Sequence, residues 1–357
     1  MKILIFTGAF GMGHNSAAEA IKEEILKEKP DATVIIIDII EYIFPRLSKL
    51  VYDVFNFMVN KFSLIYNLFN KIVAQRASVP LKKSVTKKID LLLKNNDVDF
   101  VVSTFPACSQ YFSSYKKMKS CTIPLYTYIT DISVNEEWIS ENTDMYFVGS
   151  EVTKESLLCK NVESDKIVIS GIPVRQSFKE EKIIEKTKHK KEVLIIGGGL
   201  GLIPYSIEFL EKLSKDKNVK ITFIAGKNKK LLEFVKEKYP SIESIGYTDK
   251  VAQYMKRADL IISKSGGITL FEAIFSETPL YIIRPFLYQE IGNAQYIQSS
   301  CIGKVIWTNG VDIYEDVISL LNNELLLGSM KENLLLEKAK LQSASPLNYY
   351  GGAQVCY

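Results

Sequence analysis

Short apolar runs separated by longer amphipathic stretches constrain this chain more than any other feature. Ile3 to Phe6, Val34 to Ile37, Phe100 to Val102, Leu125 to Ile129 and Tyr146 to Val148 alternate with helix-like stretches such as Ala17 to Lys29 and Val85 to Lys94. Apolar runs of that length suit strands buried on both faces, and the alternation is the rhythm of βαβ units around a parallel sheet. Lys179 to Glu192 breaks it with mixed charge and no aromatic residue, and the pattern restarts at Val193 to Ile196. It continues through Ile221 to Ala225, Leu260 to Ser263 and Leu280 to Ile283. The expectation is an α/β chain of two doubly wound parallel-sheet, Rossmann-like domains facing across a cleft. They span 1–178 and 193–335, joined by a connector over 179–192, with a segment 336–357 placed to return to the first. Ligands of such sheets sit outside the carboxyl ends of the strands, so the cleft is the expected active site.

Composition narrows the function classes. With 47% hydrophobic and 24% charged residues the 357-residue chain is of ordinary globular type, and its length predicts two domains. Lys plus Arg number 45 against 41 Asp plus Glu, a net charge of +4, which excludes a nucleic-acid partner recognised by bulk charge. The five cysteines, at 108, 121, 159, 301 and 356, form no C-x-x-C pair and no zinc-ligand spacing, the pattern of buried thiols in a reducing, cytoplasmic setting. Met1 to Phe10 runs straight into Gly11, Met12, Gly13 and His14 without a small-residue cleavage site, so it reads as a first strand rather than a signal peptide. No apolar run is long enough to span a bilayer.

Three constellations carry possible chemistry. In the first, Thr7 to Ala18, a strand enters a turn holding Gly8, Gly11 and Gly13 and then a helix. The glycines do not fit the dinucleotide pattern G-x-G-x-x-G, and no G-K-[ST] follows for a nucleotide P-loop. Only two histidines exist and His189 lies in the charged connector, which leaves His14 as the sole candidate for a neutral imidazole base in a domain core. A helix N-terminus disfavours imidazolium and keeps the ring able to accept a proton; the alternative is a helix-capping role. In the second, Ile261 to Ala273, a strand runs into Ser265, Gly266 and Gly267 and a helix, which points backbone N–H groups at an anion such as a diphosphate. Glu272 falls within reach of a ribose at that helix mouth, or is merely solvated. In the third, Arg284 to Asn293, the side chains of Gln289, Glu290 and Asn293 suit sugar hydroxyls, or cap the next helix. Gly197 to Gly201 forms a further phosphate or sugar turn, and Gly226, Lys227 and Asn228 end another strand.

Taken in order, these pieces resemble the monogalactosyldiacylglycerol synthase and processive diacylglycerol glucosyltransferase family, relatives of the transferase that completes lipid II. The resemblance rests on the Gly-Met-Gly-His turn, the Gly-Gly-Gly after Ile196, Ala225 to Asn228, Ile245 to Asp249, Ser263 to Ala273 and Gln289 to Asn293. Thr130-Asp131 with Trp138, Asp144 to Val148 and Gly171 to Arg175 extend it, so that it covers Met1 to about Lys340. It implies a GT-B fold, an inverting transfer without a metal or other cofactor, a UDP-hexose donor, and a lipid hydroxyl as acceptor, with diacylglycerol expected. His14 would be the base. The acceptor would meet Gly13, Asn15, Phe105, Pro106, Thr130, Asp131, Asn135 and Trp138 in the N-terminal domain. The donor would meet Gly198, Gly199, Gly226, Asn228, Gly246, Tyr247, Thr269 and the second and third constellations. Within that set, Ser265, Gly266 and Gly267 would hold the diphosphate, Glu272 the ribose, Gln289 and Glu290 the hexose, and the backbone around Ile245 to Thr248 the uracil.

Asp97-Val98-Asp99 imitates a metal-binding D-x-D but immediately precedes a strand, where a turn is expected. Asn135 stands where many bacterial members carry a histidine, and the segment Ser343 to Tyr357 departs from the usual tail. Those departures keep open a polyprenyl-linked or soluble acceptor; a third reading is a non-catalytic UDP-sugar binder, against which the presence of His14 and Glu272 argues. Between Tyr42 and Arg76 the chain is locally basic and aromatic, with Phe44, Tyr52, Phe55, Phe57, Phe62, Tyr66 and Phe69 among Arg46, Lys49, Lys61, Lys71 and Arg76. Such a segment suits the surface of an anionic membrane, or two core-facing helices. The resemblance implies the first, as a peripheral protein on the inner face of the cell membrane.

Overall fold

The computed structural model describes residues 1–61, 82–180, 190–198 and 207–351. The chain divides into two compact units, Met1–Gln176 with Leu341–Tyr357, and Ser177–Lys340. Residues 181–189 of the expected connector lie outside the described residues.

The first unit is built on six parallel strands: β1 (Lys2–Thr7), β2 (Thr33–Asp38), β3 (Phe100–Ser103), β4 (Leu125–Tyr128), β5 (Met145–Val148) and β6 (Ile167–Ile169), in the order β2-β1-β3-β4-β5-β6. Ile3, Leu4, Ile5 and Phe6 of β1 are fully buried because residues pointing to either face meet a layer of helices, hence an unbroken apolar run. One of those layers includes the helix Gly13–Glu28, which buries Ala17, Ala18, Ile21 and Ile25 along one stripe. Each buried isoleucine contributes about 1.5–3 kcal/mol.

The second unit repeats the plan with β7 (Lys191–Ile196), β8 (Val219–Ile224), β9 (Glu243–Ile245), β10 (Leu260–Ser263), β11 (Leu280–Ile283) and β12 (Gly303–Ile306), ordered β12-β11-β10-β7-β8-β9. The chain reverses its direction of winding between β1 and β3 in the first sheet and between β7 and β10 in the second. At such switch points the loops after the two central strands diverge to opposite faces and leave a crevice. The glycine turns that the sequence places after β1, β7 and β10 therefore each follow a strand that borders a crevice.

Residues after Leu341 belong to the first unit. Gln342 N donates to Ile169 O at 2.9 Å, the Tyr349 ring meets Phe147 at 5.4 Å, and Tyr350 OH donates to Asp99 Oδ1 at 2.6 Å. Asp99 Oδ2 also accepts from Lys2 N at 2.7 Å, which places this carboxylate at the amino end of β3, remote from the crevice. Among the described residues no helix is long and apolar enough to cross a membrane.

Gly303 opens β12 where a Cβ would lie 2.9 Å from Ile297 Cγ2 and closer still to the Leu280 carbonyl. A backbone carbonyl in a paired strand cannot yield, so Gly303→Ala is expected to destabilise the second unit by about 1–3 kcal/mol. Urea titration of the parent and the variant measures the difference.

Candidate active site

In the first unit β1 and β3 end side by side, with Phe6 opposite Ser103. The glycine turn that follows β1 delivers His14 at the start of its helix, whose N-cap residue Met12 supplies no side-chain bond. The turn that follows β3 delivers Thr104. His14 Nδ1 lies 2.8 Å from Thr104 O and 3.0 Å from Thr130 Oγ1, the latter in the loop beyond β4. A carbonyl only accepts, so Nδ1 carries the proton and the neutral ring keeps its lone pair on Nε2. No described residue bonds that nitrogen. Thr104 Oγ1 donates in return to His14 O at 3.1 Å, which locks the backbone as well as the ring.

The rings of Phe105 and Trp138 stand 5.0 and 6.2 Å from the imidazole. Burial among them pulls the His14 pKa down to about 4, against the opposing pull of the Thr104 bond. His14 is therefore neutral across the physiological range. Its tautomer, set by a backbone oxygen, is that of a proton acceptor at Nε2.

Several of the expected acceptor residues surround it. Thr130 and Trp138 are buried beside the ring and Phe105 packs on it. Asn15 is held by Thr7, whose Oγ1 donates to its Oδ1 at 3.0 Å. Pro106 is a buried first residue of the helix Pro106–Lys119, and Gly13 opens the helix that carries His14. Asp131 is partly buried next to Thr130, and Asn135 precedes the short 3₁₀ turn Glu136–Trp138 that seats the Trp.

The second unit assembles a different chemistry at its own switch point. Ser263 of β10 leads through Lys264, Ser265 and Gly266 into the helix Gly267–Ser276, whose N-cap Gly266 supplies no side-chain bond. Its first N–H groups are thus left without a side-chain partner, whereas Asn228 caps the helix Lys229–Lys238 by accepting from Leu231 N at 3.1 Å. Beside β10, the turn after β7 bends through Gly198, at φ +65°, a conformation that glycine adopts without strain. A Cβ at Gly198 would lie 3.8 Å from Lys264 Cε, so that cation overhangs the turn. Gly199 lies outside the described residues.

The third constellation braces the second. Ser265 Oγ donates to Glu290 O at 2.7 Å, and the fully buried Asn293 donates through Nδ2 to Ser265 O at 2.9 Å. These two side chains hold the turn, a supporting part that the spacing alone did not disclose. Glu290 is buried on the helix Tyr288–Ser299, with Oε1 3.3 Å from Lys264 Nζ. Its Oε2 and Ser263 Oγ are buried without a hydrogen-bond partner. A buried acceptor left unpaired costs about 1–3 kcal/mol, an expense that a ligand hydroxyl would remove. Gln289 is partly exposed beside it, as is Glu272 one turn into its helix, while Thr269 is buried in the first turn. Gly246, after β9, comes close to the turn after β8: a Cβ there would lie 3.9 Å from Gly226 O. Tyr247 is half exposed under Lys227 Nζ, 5.5 Å from its ring centre.

Two contributors escaped the sequence reading. Thr104 acts through its backbone carbonyl, which no residue type announces. Lys264 stands inside the Ser-Lys-Ser-Gly-Gly motif, but nothing in the sequence reveals that it meets Glu290 and the Gly198 turn. Of the basic aromatic stretch, Tyr42 and Phe44 pack partly against the core of the first unit, and Tyr52 turns inward. The apolar side chains that stand exposed there are aliphatic, Leu47, Leu50, Val51 and Val54. Residues 62–81, and the side chains of 55–61, lie outside the described residues.

Comparison with known proteins agrees with both halves. A family model for monogalactosyldiacylglycerol (MGDG) synthase matches residues 14–174, and one for the glycosyltransferase family 28 C-terminal domain matches residues 192–345. A processive diacylglycerol beta-glucosyltransferase of Bacillus licheniformis is 30% identical, the alignment covering 93% of this chain and 90% of that protein. One of Bacillus subtilis is 27% identical with the same coverage. Among solved structures, MurG of Acinetobacter baumannii has a TM-score of 0.62 at 14% identity, covering 97% of each chain. A complex of S. aureus MnaA with UDP has a TM-score of 0.60 at 15% identity, covering 93% of this chain and 91% of that one. These two likenesses establish the fold. With each half matched and a relative 30% identical along nearly its whole length, this chain belongs to the monogalactosyldiacylglycerol synthase and processive diacylglycerol glucosyltransferase family, glycosyltransferases of GT-B fold.

Proposed function

We propose that the protein transfers a hexose from a UDP-sugar to a hydroxyl of diacylglycerol, with inversion at the sugar C1 and His14 as the base. The observation that carries this reading is the His14 tautomer, which leaves Nε2 as a lone-pair acceptor in a pocket of aromatic rings. The names of the Bacillus relatives supply the acceptor class. In the proposed step the acceptor oxygen attacks C1 from the face opposite the nucleotide as its proton passes to Nε2. The bond from C1 to the β-phosphate oxygen breaks, and its electron pair leaves with UDP. The charge that develops on the diphosphate falls to the first N–H groups of the helix Gly267–Ser276 and to Lys264, a division that works without a metal ion. Glu290 Oε2 would accept from a hexose hydroxyl, and Glu272 would receive the ribose. The exposed Leu47, Leu50, Val51 and Val54 would rest on the membrane that holds the acceptor, on its cytoplasmic side.

UDP release from purified protein, measured with a panel of UDP-sugars, with and without diacylglycerol vesicles and with EDTA present, tests the reading. Release that needs diacylglycerol and survives EDTA is expected; UDP-sugar binding without it would redirect the search to a polyprenyl-linked or soluble acceptor. His14→Ala is expected to lower kcat at least about a hundredfold while UDP affinity is kept. Protonation of His14 removes the base, so the acid limb of kcat/KM should fall with a midpoint near pH 4, the folded value, not near 6.5. A midpoint near 6.5, the ordinary imidazole value, would overturn the lowered proton affinity of His14. Glu272→Ala should weaken UDP binding, read by calorimetry; equal affinities in parent and variant reject the ribose contact.

A further inference from the structure

We propose that Tyr52 is a positioning residue which, with Asp38, clamps the Gly8 to Met12 turn and so keeps His14 dehydrated and aimed. The proposal rests on His14 as the base, but its first test needs no substrate. Asp38 ends β2 and accepts at Oδ1 from Ile40 N and Glu41 N, each at 3.0 Å, which fixes its carboxylate. Tyr52, on the helix Ser48–Lys61, donates its hydroxyl to that carboxylate at 2.5 and 2.6 Å from the two oxygens. Ala9 N then donates to both groups, at 3.1 Å to Asp38 Oδ2 and 3.2 Å to Tyr52 OH. Burial, and then the carboxylate, push the Tyr52 pKa up, so the hydroxyl stays a donor at every working pH.

The same tyrosine starts a column of rings that ends on the base. Tyr52 meets Phe10 edge-on at 5.0 Å, Phe10 stacks on Phe105 at 4.8 Å and 20°, and Phe105 meets His14 at 5.0 Å. Phe10 and Phe105 close over Gly8, where a Cβ would lie 3.3 and 3.1 Å from them. The turn contains Gly8 and Gly11, the latter at φ +79°, and has little stiffness of its own. An external clamp decides where Phe10 sits, and Phe10 decides how well Phe105 covers the imidazole. Among the described residues, the groups seen to bond or stack on the His14 ring are Thr104, Phe105, Thr130 and Trp138, none of which titrates near neutral pH. Asp131 is the charged residue next to Thr130 in sequence; burial is the largest cause of the lowered proton affinity of His14, and the Thr104 bond opposes it. Its proton affinity is therefore a gauge of how dry the pocket is.

The experiment is an NMR titration of the His14 ring in a His189→Gln background, where His14 is the single histidine. Tyr52→Phe keeps the ring and deletes only the hydroxyl. Its His14 midpoint should rise from about 4 toward 6.5 by one unit or more. On UDP release, its kcat should fall about tenfold at unchanged donor KM, with the acid limb moving up alongside. Asp38→Asn, close to isosteric, carries the same expectation and stands in should Tyr52→Phe not fold. A folded variant with the parent's midpoint and kcat overturns the clamp. A raised midpoint in a protein whose parent releases no UDP supports the clamp and overturns the reading of the function instead.

Discussion

The hydrogen bond from His14 to the carbonyl of Thr104 joins two strands that are neighbours in space and far apart in the chain. It exists only because β3 skips β2 to pair with the free edge of β1. That one crossover sets the crevice, brings the loops after both strands to it, and lets a backbone oxygen choose which imidazole nitrogen holds the proton. A side-chain partner could rotate or ionise; a carbonyl at the end of a buried parallel strand does neither. Burial beside the aromatic rings then lowers its pKa and favours the neutral ring.

The second unit uses the same crossover to another end. Its two central strands place a glycine turn, an uncapped helix N-terminus and a lysine at one point. The Ser265 hydroxyl and the Asn293 amide stiffen the turn. Beside them the second carboxylate oxygen of Glu290 is buried and has no hydrogen-bond partner among the described residues. An unpaired acceptor of that kind is tolerated where a ligand will satisfy it, and natural chains concentrate such local costs at functional sites.

Much of this was legible beforehand, for identifiable reasons. Strands buried on both faces must be apolar throughout, so Ile3 to Phe6 and Val193 to Ile196 announced themselves. Turns that need glycine and histidines that number only two are equally visible. Long-range partners were not: Thr104 acts through its backbone, and Tyr52 belongs to a basic aromatic stretch whose composition suits either a membrane surface or a core, while its hydroxyl points at Asp38. Periodicity says which side of a helix is apolar, but a tyrosine suits either side, since its ring packs and its hydroxyl bonds.

By itself, then, the amino-acid sequence determined the two doubly wound parallel-sheet halves, the glycine turns that open them and the identity of the one histidine available as a base. These follow from local chemistry: burial patterns, glycine backbones and residue counts. Only the tertiary structure decided which nitrogen of that histidine faces the Thr104 carbonyl, how Ser265 and Asn293 brace their turn beside the unpartnered oxygen of Glu290, and the bonds that Asp38 and Tyr52 make to Ala9. Each of those depends on distance across the fold, which strand order sets and no stretch of sequence contains.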